Sequence, residues 1–232
     1  NEFLADPLVR RAFTHAVDRQ AIVEALWGGQ TVVPAGLQFD SFRTSGMFVE
    51  GWTAPEYNPD LARDLLKQAG YKGDPIPYRL LNNYYTNQTP TAQVLVEMWK
   101  QAGLNVEIEM KENWAQVHDP EGVKGVRDWS ASNNINDPIT PLVVQFGPNG
   151  EAQQKRDYWN DEVNQLSVVM ETSMDKSARQ KAHARLLEIC EREDPAYTVL
   201  HQNAVFTGMK SELNWKAAPA FAMDFRANNW SV

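Results

Sequence analysis

A chain of 232 residues, 43% apolar and 22% charged, is long enough to bury its own core and has the composition of a folded globular protein. A formal net charge of −8 argues against a nucleic-acid partner, which demands a basic face. No apolar run approaches the roughly 20 residues needed to cross a bilayer, and the single cysteine, Cys190, rules out an internal disulfide. The chain opens at Asn1 without a signal-peptide pattern, as expected of a fragment or a processed product.

Asp6-Pro7 predicts the start of a first helix, with Leu8, Ala12, His15 and Ala16 inward. Asp18 begins a second, with Ile22, Ala25 and Leu26 on one face and Gly28-Gly29 ending it. The segment from Gln30 to Tyr57 is too irregular for defined elements, and loops of that length tend to be functional. In YNPDLARDLLKQAGY, Asn58 caps a helix and Pro59 sits at its first position. Leu61, Ala62, Leu65, Leu66 and Ala69 form its apolar stripe, and Gly70 stops it. A strand is predicted over Ile76–Asn82, and Thr89-Pro90 opens a helix that runs to Ala102. LNVEIEM, 104 to 110, alternates apolar and polar residues and gives the clearest strand signal. A short strand over Arg127–Ser132 and helices near 161–170 and 176–193 follow. Residues 197–206 read as a buried strand pair or bend, and the chain loosens after Gly208. Strands alternating with helices predict an α/β fold with a mixed sheet flanked by helices. On the stripe Ala178, Ala182, Leu186, Ile189, Cys190, the cysteine is expected as a small core residue.

Catalytic signatures are weak. The four histidines show no ligand spacing, and neither a Gly-x-Ser-x-Gly elbow nor a phosphate-cradling glycine loop occurs. Asp60, Asp64, Glu188, Glu191 and Glu193 are expected on the outer faces of helices. Glu107 and Glu109 project from one strand face as a possible acid pair, which strand alternation also explains. Two polar strand ends stand out. DWSASNNINDP, 128 to 138, sets Ser132, Asn133 and Asn134 beside Trp129, either as local turns or as a neutral hydrogen-bonding rim. NNYYTNQTP, 82 to 90, offers Asn82, Asn83 and Tyr85 in the same manner. Ligands of α/β sheets gather outside the carboxyl ends of the strands, so the two ends make a half-site.

The order of these segments resembles the second lobe of family 5 extracellular solute-binding proteins, the oligopeptide- and dipeptide-type receptors of ABC importers. PLVRRAFTHAVDRQAIVEALWGG, YNPDLARDLLKQAGY and TAQVLVEMWKQAGLNVEIEMKENW carry the resemblance. The Trp129 strand, Asp137-Pro138, YWNDEVNQL and the last long helix before DPAYTVLHQN complete it over nearly the whole chain. It implies the second lobe of a type II periplasmic-binding-protein-like fold over residues 1–207. Residues 208–232 would form a tail that in the family returns to a first lobe. It further implies capture of a peptide or other polar solute between two lobes by hinge closure, and delivery to the transmembrane subunits of an ABC permease. The setting would be periplasmic or cell-surface, without covalent chemistry, cofactor, metal, nucleic acid or membrane insertion. The expected ligand-binding residues are Trp129, Ser132, Asn133, Asn134, Asn82, Asn83, Tyr85 and Trp114.

The chain departs from the peptide pattern where peptide receptors usually carry an acid just after this tryptophan, because Ser132, Asn133 and Asn134 are neutral. Dipeptide-type members also use an arginine where this chain has Leu81, Asn82 and Asn83. An unpaired buried ammonium or carboxylate costs several kcal/mol, so the loss of both anchors disfavours dipeptides. A neutral rim in a chain with eight tryptophans fits an oligosaccharide or another uncharged polar solute, with a longer peptide held by its backbone remaining open. Outside the transport reading stand a carboxylate-dependent hydrolase using Glu107 and Glu109, and a sensory or chaperone-like binding module on the same fold.

Overall fold

Asp6 opens α1 (Pro7–His15) by accepting from Leu8 N at 2.8 Å, with Pro7 at the position where a missing N–H costs nothing. The computed structural model describes residues 2–82, 84–119, 122–133, 135–216 and 224–231. Asp18 caps α2 (Arg19–Trp27) through Ala21 N at 3.0 Å, and left-handed Gly28 ends it. The irregular stretch that follows holds only the short α3 (Phe42–Ser45). Asn58 caps α4 (Pro59–Gln68) through Leu61 N at 2.9 Å. β1 (Ile76–Leu81), α5 (Gln88–Gln101) and β2 (Val106–Lys111) form a strand–helix–strand unit, followed by α6 (Trp114–His118) and β3 (Val126–Arg127). A π-helical turn, Ile139–Val143, runs into α7 (Val144–Phe146) and α8 (Glu151–Gln154). Asn160 and Asp175 cap α9 (Asp161–Thr172) and α10 (Lys176–Glu188), and α10 continues as a second π-helical turn, Ile189–Glu193.

The chain falls into two compact units, residues 1–202 and 203–232. The first unit is α/β. Its sheet has the order β2-β1-β3, and both pairings are parallel, with Tyr78 opposite Ile108 and Val126. In the second unit β4 (Asn214–Trp215) and β5 (Trp230–Ser231) pair antiparallel, and Trp215 stacks on Phe225 at 5.7 Å. Val205, Met209, Phe225 and Trp230 of that unit are exposed.

Two hydrophobic cores fill the first unit. One joins Val9, Phe13, Leu65, Leu66, Ile76, Tyr78, Leu80, Leu95 and Trp99 from α1, α4, β1 and α5. The other joins Phe42, Leu142, Val163, Met170, Leu186 and Leu187 from α3, the first π-turn, α9 and α10. Polar clamps connect them. Buried Arg19 donates to the carbonyls of Val199 (2.6 Å), Pro55 (2.9 Å), Thr14 (3.3 Å) and Val17 (3.3 Å). Nearby Glu191 accepts from Leu37 N (2.6 Å), Trp52 Nε1 (2.9 Å) and Tyr197 OH (3.1 Å). A Cβ at Gly36, where φ is +72°, would fall 2.5 Å from Trp52 Nε1, so the Glu191 clamp requires glycine there.

Several expectations are corrected. Glu191, expected on an outer face, is buried, because the wider π-turn rotates it off the α-helical phase into the three waiting donors. Ala25 is exposed, and Val23 and Trp27 take the inward positions of α2. The strand expected over Arg127–Ser132 is Val126–Arg127, because Asp128 turns out of the ladder to meet side-chain donors and Trp129 crosses to the second core. Residues 197–202 form no strand. Their polar groups are engaged by Thr14, Arg19 and the backbone of Val32 instead of a ladder. The helix expected at Thr89-Pro90 begins at Gln88, behind left-handed Asn87. Cys190 is a core residue, as expected.

His183 is fully buried and its Nδ1 donates to Met47 O at 2.7 Å. Burial lowers its pKa from 6.5 to about 4. The unfolded state therefore binds more protons between those values, so stability is full above pH 6.5 and falls by about 3 kcal/mol as the pH approaches 4. Urea unfolding at pH 7 and pH 4.5 should show this loss, and His183→Gln should remove most of the difference. An unchanged slope in the variant would contradict it.

Candidate ligand-binding site

Because β1, β2 and β3 are parallel, the residues after Leu81, Lys111 and Arg127 share one edge of the sheet. This is the carboxyl edge, where α/β folds bind ligands. Each strand end there delivers an aromatic residue: Tyr84 and Tyr85 after β1, Trp114 at the start of α6, and Trp129 after β3. Tyr84 packs edge-on to Trp114 at 4.8 Å and to Tyr85 at 6.0 Å. Trp114 leans on His118 at 5.6 Å, and Tyr85 meets His201 at 6.2 Å, which in turn packs on Trp27 at 5.0 Å. Six rings thus form a continuous arc. An open depression of about 610 Å³ lies along the β2 end and α6, lined by Met110, Lys111, Glu112, Ala115, Gln116 and Asp119.

Beneath the arc lies Asp128. Tyr78 OH donates to its Oδ1 and Gln88 Nε2 to its Oδ2 at 3.0 Å. Gln88, itself buried, accepts from Tyr84 N at 2.7 Å through its Oε1. Burial raises the pKa of Asp128 and those of Tyr78 and Tyr85, so both hydroxyls remain protonated donors. Asn87 fixes the same loop from the other side, its φ of +65° allowing Nδ2 to donate to Leu26 O at 2.7 Å.

The structure brings Tyr85 and Trp114 together through Tyr84, a neighbour that the sequence reading passed over. Asn82 is exposed at the end of β1. Trp129 is half-buried and packs on Phe146 at 5.7 Å, on the second core. Ser132 is exposed, and Asn133 Nδ2 donates to Ser41 Oγ (2.6 Å) and Asn136 Oδ1 (3.1 Å). Among the described residues no hydrogen bond or ring contact joins this Asn133 group to the aromatic arc. Asn83 and Asn134 lie outside the described residues. Asp128, Tyr78 and Gln88 were missed, although an aspartate inside a predicted strand was a signal that its side chain would leave the ladder.

Several charges along this edge are paired with one another. Glu109 Oε2 lies 2.9 Å from Lys111 Nζ and 3.1 Å from Arg79 Nε, while Arg127 and Lys124 hold Asp157 at 2.7 and 3.1 Å. The Lys111 hydrogen bond, aided by Arg79, holds Glu109 below the usual glutamate range, the wrong state for a proton donor. Glu107 points to solvent. The acid pair is therefore a pair in sequence only. Because Glu109 is part-exposed, Glu109→Gln should change the urea-unfolding free energy by less than about 1 kcal/mol; a larger loss would mean that the ion pair holds β1 and β2 together.

Residues 1–153 match the model of bacterial extracellular solute-binding proteins, family 5 middle. The glutathione-binding protein GsiB of Salmonella choleraesuis is 22% identical over 230 residues, covering 95% of this chain and 44% of the relative. The dipeptide-binding protein of Pseudoalteromonas sp. SM9913, solved with Met-Leu, superposes with a TM-score of 0.75 at 19% identity, covering 97% of this chain and 45% of that one. The Thermotoga maritima periplasmic oligopeptide-binding protein, solved with mannohexaose, gives 0.69 at 19% identity, with 91% and 44% covered. The chain spans less than half the length of these proteins. With this match over most of its length and a shared α/β architecture, the chain belongs to the bacterial extracellular solute-binding proteins, family 5.

Proposed function

We propose that this chain is one lobe of the substrate-binding component of an ABC importer. It binds solute at the carboxyl edge of its sheet, and the closed receptor hands the solute to a permease in the membrane, from a periplasmic or cell-surface position. No covalent chemistry is assigned to it. Residues 208–232 would return to a companion lobe, a reading supported by the exposed Val205, Met209, Phe225 and Trp230 around a small antiparallel pair.

One observation carries the choice of ligand class: most of the charges around the aromatic arc already have partners. Asp128, Glu109, Arg79, Lys111, Arg127 and Asp157 are each engaged within the fold. A ligand ammonium or carboxylate would meet no free counter-charge among them, and stripping its water would cost several kcal/mol. A neutral solute with ring faces loses little by leaving water and gains stacking on Tyr84, Tyr85 and Trp114. We therefore assign an oligosaccharide-like, uncharged polar ligand, with Trp129, Asn82, Ser132 and Asn133 extending the surface. The mannohexaose complex of the Thermotoga relative supports this choice, and the dipeptide complex of the Pseudoalteromonas relative favours the alternative, a peptide held by its backbone.

A thermal-shift screen should separate the two. Mannohexaose and other neutral hexasaccharides at a hundred times Kd should stabilise the native state by about 2.7 kcal/mol, while a tri- to pentapeptide pool leaves the midpoint unchanged. A shift with peptides alone would overturn the neutral-ligand assignment.

A further inference from the structure

Asp128 is a half-buried carboxylate at the proposed binding edge that is nevertheless turned inward. Both of its hydrogen-bond donors belong to this chain. Gln88 divides its amide, its Nε2 held by Asp128 and its Oε1 receiving Tyr84 N, so the carboxylate sets the backbone position of Tyr84 at one remove. Tyr84 then sets Trp114 by their edge-to-face contact at 4.8 Å. The other donor, Tyr78 on β1, anchors Asp128 to the sheet.

We propose that Asp128 is the positioning residue of the ligand rim: its carboxylate contacts no ligand and instead orients Tyr84 through Gln88 and, through Tyr84, Trp114. This rests on the reading of the rim as the binding surface. A carboxylate suits the position because each of its oxygens accepts one donor, Tyr78 OH on one and Gln88 Nε2 on the other, and charge-assisted bonds are the stronger ones.

The same geometry supplies the test. In Asp128→Ala the Gln88 amide loses its acceptor, so Gln88 releases Tyr84 N. In the double variant Asp128→Asn/Gln88→Glu the roles are exchanged. The amide nitrogen introduced at position 128 would donate to the carboxylate introduced at position 88, whose other oxygen still accepts Tyr84 N. The amide oxygen at position 128 would accept Tyr78 OH. Total charge is conserved. The readouts are mannohexaose affinity and, in the ligand-free chain, the part of the near-ultraviolet circular dichroism that Trp114→Phe removes, which reports the Tyr84–Trp114 contact.

We expect Asp128→Ala to lose that dichroism and about tenfold in affinity, the equivalent of one hydrogen bond, and the double exchange to keep both. Should Asp128→Ala fail to fold, Gln88→Met cuts only the Tyr84 link and should lose the dichroism with far-ultraviolet signal intact. Unchanged dichroism in Asp128→Ala or Gln88→Met overturns the proposal. So does a double exchange that restores the dichroism but not affinity, which would mean that Asp128 touches the ligand. Wild-type chain that does not bind mannohexaose removes the sugar reading alone, and the ligand-free spectra still decide the role of Asp128.

Discussion

Arg19 carries a full charge into the middle of the 1–202 unit, and the arrangement of that unit follows from how the charge is accommodated. Its guanidinium donates to four carbonyls drawn from the end of α1, the turn before α2, the loop before α4 and the segment near residue 199. Burial pulls its pKa down to about 10, and the field of Glu191 opposes that pull. Glu191 in turn binds the irregular 36–52 segment through Leu37 and Trp52. Buried charges held in this way are a weak source of net stability but a strong source of specificity, because removing the groups that satisfy one strands it in the interior. Here it dictates a single way for the two cores to lie side by side. Arg10 repeats the device at the surface, joining α1 to Asp194 and to Pro195 O at 2.9 Å.

A framework held in that way leaves the carboxyl edge of the sheet free to carry the loops to which we assign recognition. The three strand ends converge there because the strands run parallel, and each contributes rings rather than charges. Several of the charges there are matched locally, Glu109 with Lys111 and Arg79, Asp128 with two donors. Among the described residues Glu112 and Asp119 line the depression beside α6 without an ion pair, so the edge lacks the two opposite free charges that a zwitterionic ligand with both ends desolvated requires. Family membership gives the architecture, and the local electrostatics narrow the ligand.

Local rules made the helices legible. Asp6-Pro7, Asp18 and Asn58-Pro59 each mark a helix start that the structure confirms by a side-chain cap, because capping is decided within four residues. The alternation of 104–110 likewise announced β2, since one face of that strand meets the core. What escaped the sequence is what depends on distant partners. Glu191 looked like one more carboxylate on a helix surface, and only the π-turn and the donors from residues 37, 52 and 197 bring it inside. Asp128 looked like part of a polar turn, and its role arises from Tyr78 and Gln88, fifty and forty positions away. Of the two polar strand ends, the first places Asn82 and Tyr85 at the carboxyl edge, whereas in the second Trp129 packs on the second core and Asn133 is engaged by Ser41, because side-chain direction beyond a strand end is set by packing rather than by period.

The most direct test of a neutral aromatic rim is the indole spectrum of the ¹⁵N-labelled chain titrated with mannohexaose, with Trp114 assigned from Trp114→Phe. Binding at the rim predicts that the Trp114 indole shifts and saturates, while Trp52, whose Nε1 is bound to Glu191, and Trp159, which is exposed on the far connection before α9, stay in place. Saturable shifts at Trp52 or Trp159 with Trp114 unmoved would place recognition elsewhere and contradict it.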